Sequence, residues 1–388
     1  MSTTISATPV PSAPADKPVP DFGRPCRSVL MVGTSPEVRG GISTVVRGYR
    51  EAGLFDRFDS AYVVTHRDGS ALLKARTAAA AYARLIWLLT TADAPLVHVH
   101  ISSRASFWRK AVVCGLARLW RRPYLLHAHG SEFSKFYDAE CGGFSKWMVR
   151  TVFRKAAVVL ALSAEWNAEL LRISPRAIVR TLPNAVRLHD PPPSLAPDAP
   201  VRILFAGRIG ARKGTFELLR AFARIAPKYP RTTLVCAGDG EADQLRALAA
   251  QLHVTDRVIC PGWLSPEGMQ AELARASVFA LPSHAEGVPM ALLEAMSRSL
   301  PVLTTPVGGI PGVVENDRNG VLVPPGDVDA LERALTKLLD SPQDRARLGA
   351  AARDTIAQRF SITATIEQLS TLYRRFGIQD RNATDQQP

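Results

Sequence analysis

The sequence reads as an α/β protein with two parallel-sheet domains facing across a cleft, and three features predict this. Short Val-, Ile- and Leu-rich runs alternate with helical stretches along the chain, the pattern of buried parallel strands joined by helices. The alternation pauses once, at L-H-D-P-P-P-S-L-A-P-D-A-P (188–200), where five prolines mark a linker. At 388 residues, 46% hydrophobic and 21% charged, the chain is long enough for two full cores.

In order, the first domain's strands are expected at S-V-L-M-V (28–32), A-Y-V-V-T (61–65), L-V-H-V-H (96–100), P-Y-L-L-H (123–127) and A-V-V-L-A-L (157–162). The second domain restarts with R-I-L-F-A-G (202–207), T-L-V-C-A-G (233–238), R-V-I-C-P-G (257–262), S-V-F-A-L-P (277–282) and P-V-L-T-T (301–305). The domains are therefore set at 28–190 and 201–359, with a linker at 191–200. Residues 1–27, rich in Pro, Ala, Ser and Thr, have neither the basic start nor the apolar run of a signal peptide and read as a disordered tail. Residues 378–388 read as a second disordered tail. Ligands of open α/β sheets bind beyond the carboxyl ends of strands, so the motifs should lie at strand ends and face the cleft between the domains.

Composition narrows the class. Cys26, Cys114, Cys141, Cys236 and Cys260 are odd in number, lack C-x-x-C spacing and are expected to be reduced and structural in a cytoplasmic protein. The most apolar helical stretch, 78–92, is interrupted by Arg84 and is too short to span a bilayer. The net charge of +13 is concentrated in residues 1–200, with 26 Lys+Arg against 15 Asp+Glu. Within 72–122 there are nine basic residues, including Arg104, Arg109 and Lys110, and the single acid Asp93. Such a face prefers an anionic membrane surface or a nucleic acid, or is simply solubilising. No nucleic-acid-binding module or zinc spacing accompanies the charge, so no nucleic-acid partner is expected.

The most informative stretch is S-H-A-E-G-V-P-M-A-L-L-E-A-M-S (283–297). Pro289 suits the first position of a helix, which places Glu286 before it and Glu294 about one and a half turns inside. The free backbone N–H groups of Met290, Ala291 and Leu292 would point out of the helix N-terminus, where an anion is favoured. Carboxylates beside a phosphate make sense as acceptors for neutral hydroxyls on the same ligand, and a sugar nucleotide offers both groups. The bland alternative is a helix start followed by a solvated glutamate.

Three further loops bear on the same ligand. R-G-G-I-S-T (39–44) pairs Gly40 with Gly41 ahead of a helix expected near Thr44 or Val45, and the glycines allow close approach of a phosphate or merely make a turn. It is not G-x-G-x-x-G, which argues against a dinucleotide-dependent dehydrogenase. G-R-I-G-A-R-K-G (207–214) puts Arg208 and Lys213 five apart on a glycine-rich loop, either as solvated charges or as cations that stabilise a leaving diphosphate without a metal. In L-L-H-A-H-G-S-E-F (125–133), His129 reads as a hydrogen-bond donor to substrate and His127 as part of the strand. No third ligand follows at metal spacing, so zinc is discounted. D-V-D (327–329) resembles a metal-binding motif, but it precedes a helical run, and Asp327 reads as its N-cap. No metal and no cofactor are expected.

Together, G-G-I-S-T, H-A-H-G, P-N-A-V (183–186), G-R-I-G-A-R-K-G, E-G-V-P-M-A-L-L-E, T-P-V-G-G-I-P (305–311) and N-G-V-L-V-P-P-G-D (319–327) resemble the retaining glycosyltransferases of family 4. The resemblance covers about residues 28–377 and implies the GT-B fold of two Rossmann-like domains, the N-terminal one binding acceptor and the C-terminal one binding nucleotide sugar. It also implies roles. Glu286 would bond donor-sugar hydroxyls and Glu294 the ribose hydroxyls. The N–H groups around Gly287, Val288 and Met290 to Leu292 would meet sugar and diphosphate, with Arg208, Lys213 and Gly41 at the diphosphate. His129 would lie near the transferred sugar, and the backbone around Trp263 and Leu264 near the base. Neither glutamate acts as a nucleophile in this family; the leaving diphosphate helps deprotonate the acceptor on the same face.

The family also returns its last helix to the N-terminal domain, and 360–377 fits, with Ile362, Ile366, Leu369 and Leu372 as its buried stripe. H-V-H-I-S-S-R-A-S-F-W-R-K (98–110) is similar to a subgroup that assembles bacterial exopolysaccharide and O-antigen. Its acceptors are polyprenyl-diphosphate-linked sugars at the inner membrane face, in agreement with the basic N-terminal half. The expected activity is hexosyl transfer from GDP-mannose or a UDP-hexose to such an acceptor, by a cytoplasmic enzyme bound peripherally to the membrane. A nucleotide-sugar epimerase and a non-catalytic relative are the rivals.

Overall fold

The computed structural model describes residues 29–38, 40–91, 96–130, 132–190 and 200–381. The expected N-terminal tail, Cys26 and nearly all of the expected linker lie outside the described residues.

Twelve strands form two six-stranded sheets, all of whose pairings are parallel. The first contains β1 (Val29–Gly33), β2 (Ala61–Val64), β3 (Leu96–Ile101), β4 (Tyr124–Ala128), β5 (Val158–Ala161) and β6 (Val179–Thr181), in the order β2-β1-β3-β4-β5-β6. The second contains β7 (Arg202–Ala206), β8 (Thr233–Ala237), β9 (Val258–Gly262), β10 (Val278–Leu281), β11 (Val302–Thr304) and β12 (Val321–Leu322), in the order β12-β11-β10-β7-β8-β9. Strand order reverses between β1 and β3 in one sheet and between β7 and β10 in the other. At such points neighbouring loops diverge and leave a crevice for ligand.

Both faces of each sheet are covered, so the strands are apolar on both sides. On the first sheet, Leu30, Val32, Val97, Val99 and Leu126 pack with the helices Ala71–Thr91, Ala105–Leu119 and Gly143–Lys155. Val29, Met31 and Leu125, on the opposite face, pack with Val45, Val46 and Tyr49 of the helix Gly41–Glu51. The C-terminal helix Ile362–Arg374 closes that second face with Ile362, Ile366, Leu369, Leu372 and Tyr373. Each such aliphatic side chain contributes about 1.5–3 kcal/mol of transfer free energy. Backbone bonds between Val186 and the Phe360–Ile362 segment, 3.0 Å each, guide the helix back across the first sheet.

Residues 378–381 of the expected tail stay packed after that helix, while 382–388 lie outside the described residues. Ile378 is buried, and Arg57 donates to both oxygens of buried Asp380 at 2.8 and 2.7 Å. A bidentate guanidinium–carboxylate pair satisfies a buried charge that the sequence, lacking its partner 323 positions away, presented as a polar tail. The described cysteines are free thiols. Among the described residues no helix is long and apolar enough to cross a membrane.

Candidate active site

The two glycine-rich loops of the second sheet meet at its reversal point. The loop after β7 runs through Gly207 and Gly210 into a short turn, Ala211–Lys213, and ends at Gly214, whose φ is +67°. A Cβ on Gly214 would stand 2.0 Å from the Pro282 carbonyl oxygen, so only glycine lets this loop lie against the one following β10. The loops are also sewn together: the His284 N–H donates to the Arg212 carbonyl at 2.9 Å, and Arg212 Nη1 to the Ala285 carbonyl at 3.0 Å.

This contact brings Lys213 to Glu286. The ammonium donates to Glu286 Oε1, and Ser283 Oγ donates to the same oxygen at 2.6 Å. Both charged side chains are largely buried, with 14% and 7% of their surfaces exposed. Arg208 is exposed on the cleft wall and has no ion-pair partner among the described residues.

The next helix spans Met290–Ser297, one residue later than expected: Pro289 is its N-cap, with extended backbone at ψ 127°. Leu292 and Leu293 anchor it in the core, and Leu292 is not among the residues that line the cleft. Gly287, Val288, Met290 and Ala291 line the cleft. Glu294 also lines it, and burial pushes its carboxyl up to about 7 despite the nearby guanidiniums of Arg47 and Arg298. Behind this segment, the N–H of Gly309 donates to the Gly287 carbonyl at 2.9 Å, and Gly308 packs directly against Glu286.

The first sheet supplies the opposite wall. Gly40, with φ 153°, and Gly41 line it, and the helix starts at Gly41 rather than near Thr44 or Val45. Ser43 Oγ donates to the Ser35 carbonyl at 3.0 Å, which draws the first turn inward before the apolar stripe begins. Asn184, in P-N-A-V, donates to the Val288 carbonyl at 2.8 Å and links the two halves across the cleft. Trp263, 46% exposed, and Leu264 follow β9 and line the cleft too. The cleft as a whole encloses about 1150 Å³.

His129 lines the cleft at the end of β4, with its N–H donated to the Ile101 carbonyl at 2.8 Å. Burial holds its imidazole down to about 3, so it is neutral at physiological pH. One ring nitrogen, Nε2, lies 2.9 Å from His100 Nδ1. No third histidine follows at metal spacing in the sequence, but the sheet register brings further ones alongside. His100 sits opposite His127 across the β3–β4 pairing, and His98 lies two residues away on the same face. Four imidazoles thus gather where linear spacing showed two. Asp327, by contrast, caps its helix, its Oδ1 accepting the Ala330 N–H at 2.8 Å, and Asp329 pairs with Arg224.

Several participants were missed. Ser283 and Arg212 show no signal in sequence beyond proximity to the motifs. Asn184 stands in a noted motif without a role, and Arg47, nearly two turns into its helix, comes near Glu294 only in three dimensions.

The chain is similar to known proteins in this region and beyond. The family described as glycosyl transferases group 1 matches residues 187–355. D-inositol 3-phosphate glycosyltransferase of Saccharomonospora viridis is 30% identical over 309 residues, covering 72% of this chain and 69% of that protein. The colanic acid biosynthesis glycosyltransferase WcaL of Escherichia coli is 30% identical over 232 residues, covering 57% of each. In three dimensions, Anabaena HepE, solved in complex with UDP-glucose, superposes with a TM-score of 0.72 at 20% identity, over 90% of this chain and 99% of that one. The two facing parallel-sheet domains are those of GT-B glycosyltransferases, and the chain belongs to the group 1 glycosyl transferases.

Proposed function

We propose that this glycosyltransferase is a retaining family 4 enzyme that moves a hexose from GDP-mannose or a UDP-hexose to a polyprenyl-diphosphate-linked oligosaccharide in cell-surface polysaccharide synthesis. The observation that carries the donor site is the convergence of Lys213, Glu286 and Arg208 beside the N-terminus of Met290–Ser297. Two cations and a row of free N–H groups oppose a diphosphate, while Glu286 and Glu294 accept sugar and ribose hydroxyls. On this reading Arg208 and Lys213 offset the charge that develops on the leaving diphosphate, and no metal is needed there. His129 is neutral and donates to the transferred sugar. The backbone at Trp263–Leu264 meets the base, and Gly41 faces the diphosphate from the opposite wall.

The acceptor reading rests on the outer face of the first sheet. Besides the buried Lys110, the helices Ala71–Thr91, Ala105–Leu119 and Gly143–Lys155 hold nine Lys or Arg and no Asp or Glu. Leu72, Trp87, Leu119, Phe144 and Trp147 are exposed among them. Basic side chains around exposed aromatic and aliphatic ones suit the anionic inner face of the cytoplasmic membrane. The similarity to WcaL, named for colanic acid synthesis, agrees with a polysaccharide acceptor.

Thermal shift against UDP, GDP, ADP and their sugar conjugates tests the donor site. A ligand at 100 times its Kd adds about 2.7 kcal/mol. Stabilisation by GDP-mannose selects a mannosyltransferase and by UDP-hexoses a hexosyltransferase of that class. No shift with any nucleotide would overturn the donor-site reading.

A further inference from the structure

The histidines behind the cleft form a cluster that sugar transfer does not use. His98, His100 and His127 are fully buried, and their rings stand in a triangle with centres 4.8, 5.5 and 5.0 Å apart. One nitrogen of each lies within 4.8 Å of the others'. Buried polar atoms normally find partners, yet His98 Nε2, His100 Nε2 and both nitrogens of His127 have none among the described residues. The buried Tyr49 hydroxyl, whose ring lies 6.2 Å from His100 and 6.4 Å from His127, has none there either.

The remaining nitrogens are engaged, and in an ordered way. His98 Nδ1 lies 2.6 Å from the Tyr373 hydroxyl, and His100 Nδ1 lies 2.9 Å from His129 Nε2. If each Nδ1 carries the proton, both Nε2 atoms, without partners among the described residues, keep free lone pairs. That is the pattern of metal-ligating histidines, which commonly donate the second N–H to an outer partner.

We propose that His98, His100 and His127 bind one borderline divalent transition ion such as Zn²⁺, with the Tyr49 hydroxyl or a water as fourth ligand. The spacing supports it. A Zn–N bond of about 2.0–2.1 Å puts tetrahedrally disposed imidazole centres roughly 5.2 Å apart. The observed centres bracket that spacing, and the rings lie stacked within 30° of parallel, so loading needs turns of the rings about their side-chain bonds and no shift of the strands. Three neutral imidazoles suit zinc, copper, nickel or cobalt better than magnesium or calcium. The ion would sit behind the cleft, apart from the donor diphosphate. It would tie the C-terminal helix to the first sheet through Tyr373. It would also fix His129 with its proton on Nδ1, available to the cleft.

The test uses the full chain, stripped with a chelator and reloaded with Zn²⁺ or Co²⁺ alone. One equivalent of zinc should bind, Co²⁺ should show the visible absorption of a tetrahedral nitrogen site, and both should be lost in His98→Leu and His127→Leu. Tyr373→Phe should weaken Zn²⁺ binding by about 10- to 100-fold. Should the leucine variants misfold, His127→Gln, checked by circular dichroism and cooperative unfolding, takes their place. Wild type that retains no more metal than a folded His127 variant, or variants that bind Co²⁺ unchanged, would overturn the site. No readout involves a nucleotide, so the result is independent of the donor-site reading.

Discussion

Gly308 lies outside the cleft yet governs a residue inside it. Its φ is +56°, and a Cβ there would stand 1.8 Å from the Glu286 carbonyl oxygen and 2.8 Å from the carbonyl carbon. Real Cβ atoms essentially never come within 3.0 Å of a neighbour, so Gly308→Ala must push the Glu286 backbone, or itself, by about 1.2 Å. The left-handed conformation adds about 1–2 kcal/mol for a residue with a side chain. The protein should therefore fold with modestly lower stability, while Glu286 and Lys213 lose their register with the diphosphate site. Misplacement by about 1 Å costs on the order of 100-fold in rate. The assay is release of nucleoside diphosphate from the donor that stabilises the wild type, with thermal melting as the fold check. Gly312→Ala, where a Cβ meets nothing within 4 Å, is the matched control and should be near neutral. A folded Gly308→Ala protein with kcat close to that of the control would refute the claim that this contact positions Glu286.

Lys213→Ala should lower kcat by about 100-fold or more with the fold intact, as for loss of a donor to developing negative charge; unchanged turnover would remove Lys213 from the diphosphate site. Glu294 is held near 7 against 4.5 in solvent, so its ionised, hydroxyl-accepting form grows as pH rises through 7. Nucleotide affinity measured by calorimetry should rise over that range and flatten above it, and Glu294→Gln should bind weakly at every pH. Burying that carboxylate also costs stability progressively above about pH 4.5, so Glu294→Gln should raise the Tm of the unliganded protein at pH 8 and leave it unchanged at pH 4. Lys110 is fully buried with its Nζ unpartnered among the described residues, and burial pulls it from 10.5 down to about 7. The folded state thus favours the neutral amine, and the penalty is full below about pH 7 and fades toward pH 10.5. Lys110→Met should raise the Tm by an amount that shrinks across this window, and a pH-independent gain would place the cause in packing instead.

Much of the fold was legible because a strand buried on both faces must be apolar along its length. All ten expected runs overlap strands of the structure. The two that escaped are edge strands: β6 has two of its three residues exposed, and β12 is two residues long, so neither needs an apolar run. The first helix begins earlier than expected because low glycine propensity is overridden where Gly40 turns the chain directly into it. At the site, the motif residues of the donor half could be found from glycine spacing and charge. Their pairing could not, since Lys213 and Glu286 are 73 positions apart. The histidine cluster was invisible for a similar reason: H-V-H and H-A-H are ordinary strand dipeptide repeats until register sets His100 against His127.

The return of the C-terminal helix also imposes an order on birth. Tyr373 meets Phe58 edge-on at 5.2 Å and bonds His98, so the layer over the first sheet is completed by residues made only after the whole second domain. At about 5–20 residues per second, the first sheet waits roughly 10–40 s after β6 emerges for its cover. During that interval Leu125, Leu160 and their neighbours stand open to water while the second domain folds. The nascent N-terminal half is thus a natural client for holding chaperones, and a chain cut short before residue 362 would keep that uncovered face permanently.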